Sequence, residues 1–132
     1  MATNSTKKVV KKSKVRKVVP KGIISIQSTF NNTIISVSDT SGNVLAWATA
    51  GSAGFKGARK STPYAAQTAM LAVLDRVKAM SMVEASVHIS GVGTGRESAI
   101  RALGNSGIDI VAIKDLTPIA HNGVRAKKPR RV

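Results

Sequence analysis

The chain has 132 residues, no cysteine, and a formal charge of +15 from twenty-one Lys and Arg against six Asp and Glu. That length suits one domain with extensions and a single core. The lack of cysteine excludes disulfide staples and thiolate metal sites, and no apolar run approaches the roughly 20 residues of a membrane span.

The charge is unevenly placed. Residues 1–21 carry Lys7, Lys8, Lys11, Lys12, Lys14, Arg16, Lys17 and Lys21, and residues 121–132 carry Arg125, Lys127, Lys128, Arg130 and Arg131, with no acid in either segment. The stretch between them holds eight basic and six acidic side chains. This reads as a nearly neutral body, residues 22–120, between a basic N-terminal arm and a basic C-terminal tail. Arms of one sign repel themselves and stay unfolded alone, so they call for a dense polyanion. Nucleic acid is the expected one, because each Lys or Arg that replaces a condensed counterion is rewarded by its release. No leader follows the basic start, and the reading is a cytoplasmic chain without membrane partner, cofactor, metal or small-molecule substrate.

In chain order, three short β-branched runs come first: Gly22–Ser28, Thr33–Ser38 and Val44–Thr49. Asn31-Asn32 suits a tight turn because Asn tolerates a positive φ, and Asp39-Thr40-Ser41-Gly42 suits a type I turn with glycine last. The three runs form an antiparallel meander. The period then changes. Ser61 or Thr62 caps a helix whose first residue is Pro63, over 63–80, with Ala66, Met70, Val73, Leu74 and Val77 on one face. Val83, Ala85, Val87 and Ile89 alternate with polar residues as a half-buried strand. A second helix begins at Thr94, where Thr94 and Glu97 form a capping box, the hydroxyl serving first-turn N–H groups and the carboxylate reaching back, and it stops near Gly104–Gly107. Ile108–Ile113 is the last strand. The order βββαβαβ requires parallel pairing in its second half, so the expected fold is α/β, a mixed five-stranded sheet with two main helices packed against it.

Two glycine-rich connections stand out. In Gly51–Ser61, three glycines permit close backbone approach to a phosphate, Lys56, Arg59 and Lys60 neutralise it, and the next helix turns its N-terminal N–H groups toward the same anion. A solvated linker is the plainer alternative; the lysine precedes its glycine, so this is not a P-loop. In Gly91-Val-Gly-Thr-Gly95-Arg96, a tight strand-to-helix turn competes equally with phosphate binding in which Arg96 is the clamp. The sequence here resembles a dinucleotide fingerprint, but Arg96 holds the third glycine's place and the preceding meander is wrong for that fold.

With only Phe30, Trp47, Phe55 and Tyr64, the chain lacks the aromatics of a base-stacking surface, so phosphate contacts and RNA shape should drive binding. Catalysis has little support. The topology invites comparison with ribonuclease H folds, whose clustered carboxylates hold two metal ions, yet the first strand has no acid. His88, on the polar side of its strand, reads as a surface or RNA-contacting residue. At the end, Pro118 stops the last strand and His121-Asn122-Gly123 turns into the basic tail. Asn122-Gly123 is also the least hindered succinimide-forming pair, a candidate for isoaspartate.

Taken together, Phe30-Asn-Asn-Thr33, Asp39-Thr-Ser-Gly-Asn43, Trp47, Gly54–Gln67, Gly91-Val-Gly-Thr-Gly-Arg96 and Asp115-Leu-Thr-Pro-Ile-Ala-His-Asn-Gly123 resemble, in that order, the bacterial form of small-subunit ribosomal protein number eleven. The resemblance runs from Pro20 to the C-terminus; the first nineteen residues match in character only. It implies a ribonuclease H-like sheet without nuclease carboxylates and binding to small-subunit ribosomal RNA in the platform. It places the chain near the exit site and the path of messenger RNA, beside other platform proteins. By position it implies RNA contacts for Asn31, Asn32, Lys56, Arg59, Lys60 and Arg96. In the tail it implies them for His121, Asn122, Arg125, Lys127, Lys128, Arg130 and Arg131, and in the arm for Lys11, Lys12, Lys14 and Arg16. Bacterial members usually carry Cys-Arg-Pro-Pro after the Asn-Gly; this chain departs with Val124-Arg125-Ala126-Lys127 and only Pro129 later. Two other functions compete: a nucleic-acid enzyme or chaperone on a degenerate nuclease fold, and a DNA-compacting protein.

Overall fold

A computed structural model describes residues 18–131. The strands are β1 (Lys21–Ser28), β2 (Thr33–Asp39), β3 (Val44–Thr49), β4 (Glu84–Ser90) and β5 (Asp109–Asp115), and the helices are α1 (Pro63–Lys78) and α2 (Gly95–Gly104). A 3₁₀ turn, Gly57–Ser61, precedes α1. The five strands form one sheet in the order β3-β2-β1-β4-β5. β1 runs antiparallel to β2 and β2 to β3, whereas β1–β4 and β4–β5 are parallel. This is the mixed α/β sheet the element order calls for.

Strand residues alternate between two faces, and the buried set falls on one of them. Ile24 and Ile26, Ile35 and Val37, Ala46 and Ala48, and Ala85, Val87 and Ile89 turn toward the helices. Against them α1 packs Ala66, Ala69, Met70, Val73, Leu74 and Val77, spaced for one face of a 3.6-residue helix, and α2 packs Ala99, Ala102 and Leu103. Both helices lie on the same side. The opposite face carries a cross-strand row running from Trp47 through Ser36, Ser25 and His88 to Lys114.

The structure differs from the sequence reading in several places. The folded part reaches back to Val19, which joins the core and donates its N–H to Met80 O (3.0 Å), so Lys21 opens β1 instead of closing an arm. Val83 stands exposed before β4 while Met82 takes the core position, because the chain is still in a turn there, with Ser81 at φ 55°. Neither Asn31 nor Asn32 has a positive φ. The Thr29 hydroxyl instead accepts from both of their N–H groups (3.3 and 3.1 Å), so that side chain holds the hairpin. The Asp39 turn forms as expected: Gly42 N–H donates to Asp39 O (3.2 Å) and the Asp39 carboxylate takes the N–H groups of Ser41 and Asn43 (2.9 Å each).

Candidate nucleic-acid interface

Strand directions decide which connections meet. β3 is antiparallel to β2 and so runs with β1, β4 and β5. The C-terminal ends of these four strands therefore share one end of the sheet. There lie the 29–32 hairpin, the 50–62 connection, the 91–94 turn and the segment leaving β5 at residue 116. These hold the hairpin asparagines, Lys56, Arg59, Lys60 and Arg96 and the root of the tail. The opposite end has the acids Asp39, Glu84 and Asp109 at strand termini. A nearly neutral body is thus polarised along its strands.

Hydrogen bonds between these connections hold them to one another. Ala50 N–H donates to Thr33 O (3.1 Å), Gly93 N–H to Ser28 O (3.1 Å), and Leu116 N–H to Ile89 O (2.7 Å). The Thr94 hydroxyl donates to Ser61 O (2.7 Å), joining the foot of α2 to the 3₁₀ turn. Gly91 N–H donates to the Thr117 hydroxyl (3.2 Å). Thr94 and Thr117 escaped the sequence reading as tethers because their partners are 33 and 26 residues away.

In the 50–62 connection, Gly54 (φ 101°) and Gly57 (φ 59°) take left-handed backbone that other residues rarely adopt. Phe55 meets Tyr64 edge-on, ring centres 5.7 Å apart, bracing the loop against α1. Lys56 and Arg59 line one open hollow with Ala53, Gly54 and Phe55. The Lys60 stem lies across Gly51. Thr62 caps α1, its hydroxyl accepting from Ala65 N–H (3.3 Å), with Pro63 at the first position. The three cations thus sit in and beside a structured turn that leads into a sixteen-residue helix.

The 91–95 turn is different. A Cβ at Gly91 would stand 2.0 Å from Ser28 O, at Gly93 2.3 Å from Ser28 Oγ and Thr29 O, and at Gly95 2.5 Å from Thr33 Oγ1. These glycines are required by the packing of the turn over β1 and β2. The capping box does not form either. Thr94 has helical backbone angles and caps nothing with its side chain, and Glu97 faces Arg101 (3.8 Å) on the exposed side. Thr94 has its hydroxyl on Ser61 O instead, a longer-range bond that removes it from the cap.

Arg96 turns inward. Its Nη1 donates to Gly91 O and its Nη2 pairs with Asp115 Oδ2 (2.8 Å). The Asp115 carboxyl is held well below the usual carboxylate range, first by the Thr117 hydroxyl, then by Arg96 and by Thr117 N–H. Arg96 thereby ties the 91–95 turn to the point where β5 hands over to the tail.

Asn31 is exposed at the hairpin tip beside Phe30, itself 75% exposed, while Asn32 is half-buried with its Oδ1 accepting from Thr33 N–H (2.8 Å). Phe30 at this end was missed as a contact candidate; the one signal was a large apolar residue inside a turn. From His121 to Arg131 every side chain is exposed. His121 Nδ1 lies 3.2 Å from Ile119 O and Asn122 adopts φ 59°. Lys11, Lys12, Lys14 and Arg16 lie outside the described residues. Among the described residues, no three His, Cys, Asp or Glu side chains are grouped to hold a metal ion.

The family model described as Ribosomal protein S11 matches residues 22–131. Three similar proteins are each called small ribosomal subunit protein uS11. That of Acaryochloris marina is 56% identical over 119 residues, covering 90% of this chain and 92% of its own. Those of Borreliella burgdorferi and Rippkaea orientalis are 52% and 54% identical over all 132 residues, covering 97% and 100% of their own lengths. A match over most of the chain, on a sheet whose cations gather at one end, leaves one assignment: the chain belongs to the ribosomal protein S11 family.

Proposed function

We propose that this chain is a structural constituent of the small ribosomal subunit, working in the cytoplasm. In this reading it binds the subunit's RNA through the loop-bearing end of its sheet and its basic arms. The observation that carries this is the convergence of four connections and their cations at one end of the sheet. Lys56, Arg59 and Lys60 meet phosphates there. Arg96 offers one the N–H donors left over from Gly91 and Asp115, a guanidinium having five. Asn31 and Asn32 present the hairpin tip. The tail, with His121, Asn122, Arg125, Lys127, Lys128, Arg130 and Arg131, threads between RNA segments, as do Lys11, Lys12, Lys14 and Arg16 of the arm. Such contacts read backbone shape more than sequence. The site is placed in the platform, near the exit site and messenger RNA path, with other platform proteins alongside.

No catalytic step belongs to this reading. Asp39, Glu84 and Asp109 sit at the end away from Lys56, Arg59, Lys60 and Arg96, Asp75 lies on α1, and Asp115 is engaged by Arg96. Asn122, exposed and followed by glycine, is proposed as a site of isoaspartate formation; peptide mapping of aged protein that finds only intact asparagine removes it.

The test is where the tagged chain sediments from cell lysate in low and then high salt. Comigration with the small subunit that survives moderate salt is expected. Migration as free protein or with the nucleoid overturns the assignment and returns the DNA-binding reading.

A further inference from the structure

The sheet has two edges, and they are treated differently. At β3, Arg76 of α1 donates from Nη1 to the main-chain oxygen of Trp47 (3.0 Å), so the protein itself occupies a backbone acceptor there. At β5 nothing comparable occurs: among the described residues its only strand partner is β4. An open edge presents unpaired N–H and C=O groups, and proteins usually blunt it with charge, proline, a bulge or a cover. Here the register with β4 shifts once, at Val111, yet the rest of the edge is bare: Val111 is 64% and Ile113 54% exposed, Lys114 is the single charge between the end residues, and the first proline is Pro118. β5 also lies in the parallel half of the sheet, the type of pairing normally covered.

We infer that the outer edge of β5 receives an extended segment of a neighbouring small-subunit protein, which adds a sixth strand; this rests on the ribosomal assignment above. The chemistry selects the occupant. Only a polypeptide repeats N–H and C=O groups at strand spacing while offering apolar side chains to Val111 and Ile113. RNA is disfavoured by charge, since Asp109 opens the edge in register with Glu84, and Lys21, 3.9 Å from Glu84, is the one cation paired there. A second copy of the chain is disfavoured too. Two-fold antiparallel pairing about Ala112, the middle of β5, sets Asp109 of each copy against Asp115 of the other, like charges directly opposed. The complementary segment is β-branched or aliphatic at alternate positions and carries Lys or Arg beside Asp109. It runs along β5 to the end where the cations gather, so protein and RNA contacts form one continuous surface.

The experiment compares amide hydrogen exchange over 110–115 in the free chain and in purified small subunits containing it, with a photo-crosslinker placed at Val111. The β5 amides not used by β4 are expected to slow by about tenfold or more in the subunit, as pairing closes a locally open edge. The crosslink is expected within one extended segment of one neighbouring protein. The pair V111K/I113K, at two exposed positions, should abolish the slowing while rRNA binding persists. Unchanged exchange in subunits that do contain the chain, or a crosslink to RNA or to a second copy, overturns the inference alone. A chain that never enters the subunit removes the ribosomal assignment with it.

Discussion

The glycines at 91, 93 and 95 show how one residue type serves two needs. In a sequence they resemble phosphate-binding glycines; in the fold they make room for Ser28, Thr29 and Thr33. Gly93→Ala should therefore destabilise by about 1–3 kcal/mol, the usual cost of forcing extra volume into a packed site. Gly104→Ala is the control: nothing lies within 4 Å of a Cβ there, and the helix should gain about 0.5–1 kcal/mol. Urea unfolding of both variants checks this, and a Gly93→Ala protein as stable as the parent would return these glycines to the RNA. Asp115 makes a second prediction. Its folded pKa is depressed, so any stability it lends is present in full above the ordinary carboxylate range and is lost progressively as pH falls from that range through the folded value. Its ¹³C carboxyl shift should still report an ionised group at about pH 3, where an ordinary aspartate is mostly protonated. Arg96→Ala should move that titration upward, and titration of the parent in the ordinary range would contradict the Arg96–Thr117 arrangement.

At the scale of elements, α1 and α2 start by different means. α1 has a local cap: Thr62 takes Ala65 N–H, and Pro63 follows. Thr62→Ala should cost about 0.5–2 kcal/mol. α2 begins on helical residues, and its Glu97 is an exposed ion-pair partner of Arg101. Glu97→Ala should consequently stay within about 0.5 kcal/mol of the parent, where a working capping box would cost about 1. Thermal melts of the two variants separate these cases. The capping-box spacing was legible in the sequence. The bond from Thr94 to Ser61 was not, since no local pattern announces a partner in another loop. The same distinction explains Val83 and Met82: alternation marks a strand well, but not the residue at which a turn hands over to it.

For the whole molecule, the proposed function makes the arms and the body different kinds of binder. From His121 to Arg131 the tail is exposed, so on that proposal its cations contribute through counterion release. Replacing Lys127, Lys128, Arg130 and Arg131 by glutamine should flatten the slope of log K against log salt on small-subunit RNA by roughly three, at about 0.7–0.9 for each phosphate left without its cation. An unchanged slope means the tail does not touch RNA. The Lys56, Arg59 and Lys60 cations, held on a braced loop, should also carry orientation: neutralising them should weaken binding to folded ribosomal RNA more than to a single strand of equal length. A filter-binding comparison of the two RNAs decides it.

Charge segregation, the βββαβαβ order, the core face of α1 and the family motifs were all written in the sequence, because each depends on residues near one another along the chain. The polarity of the body was not. It arises because β3, β1, β4 and β5 run the same way, which sets four connections distant in sequence at one end and leaves Asp39, Glu84 and Asp109 at the other. The inward turn of Arg96, the packing role of the 91–95 glycines and the unguarded edge of β5 likewise belong to the tertiary structure. Each is a relation between segments that only folding brings within bonding distance.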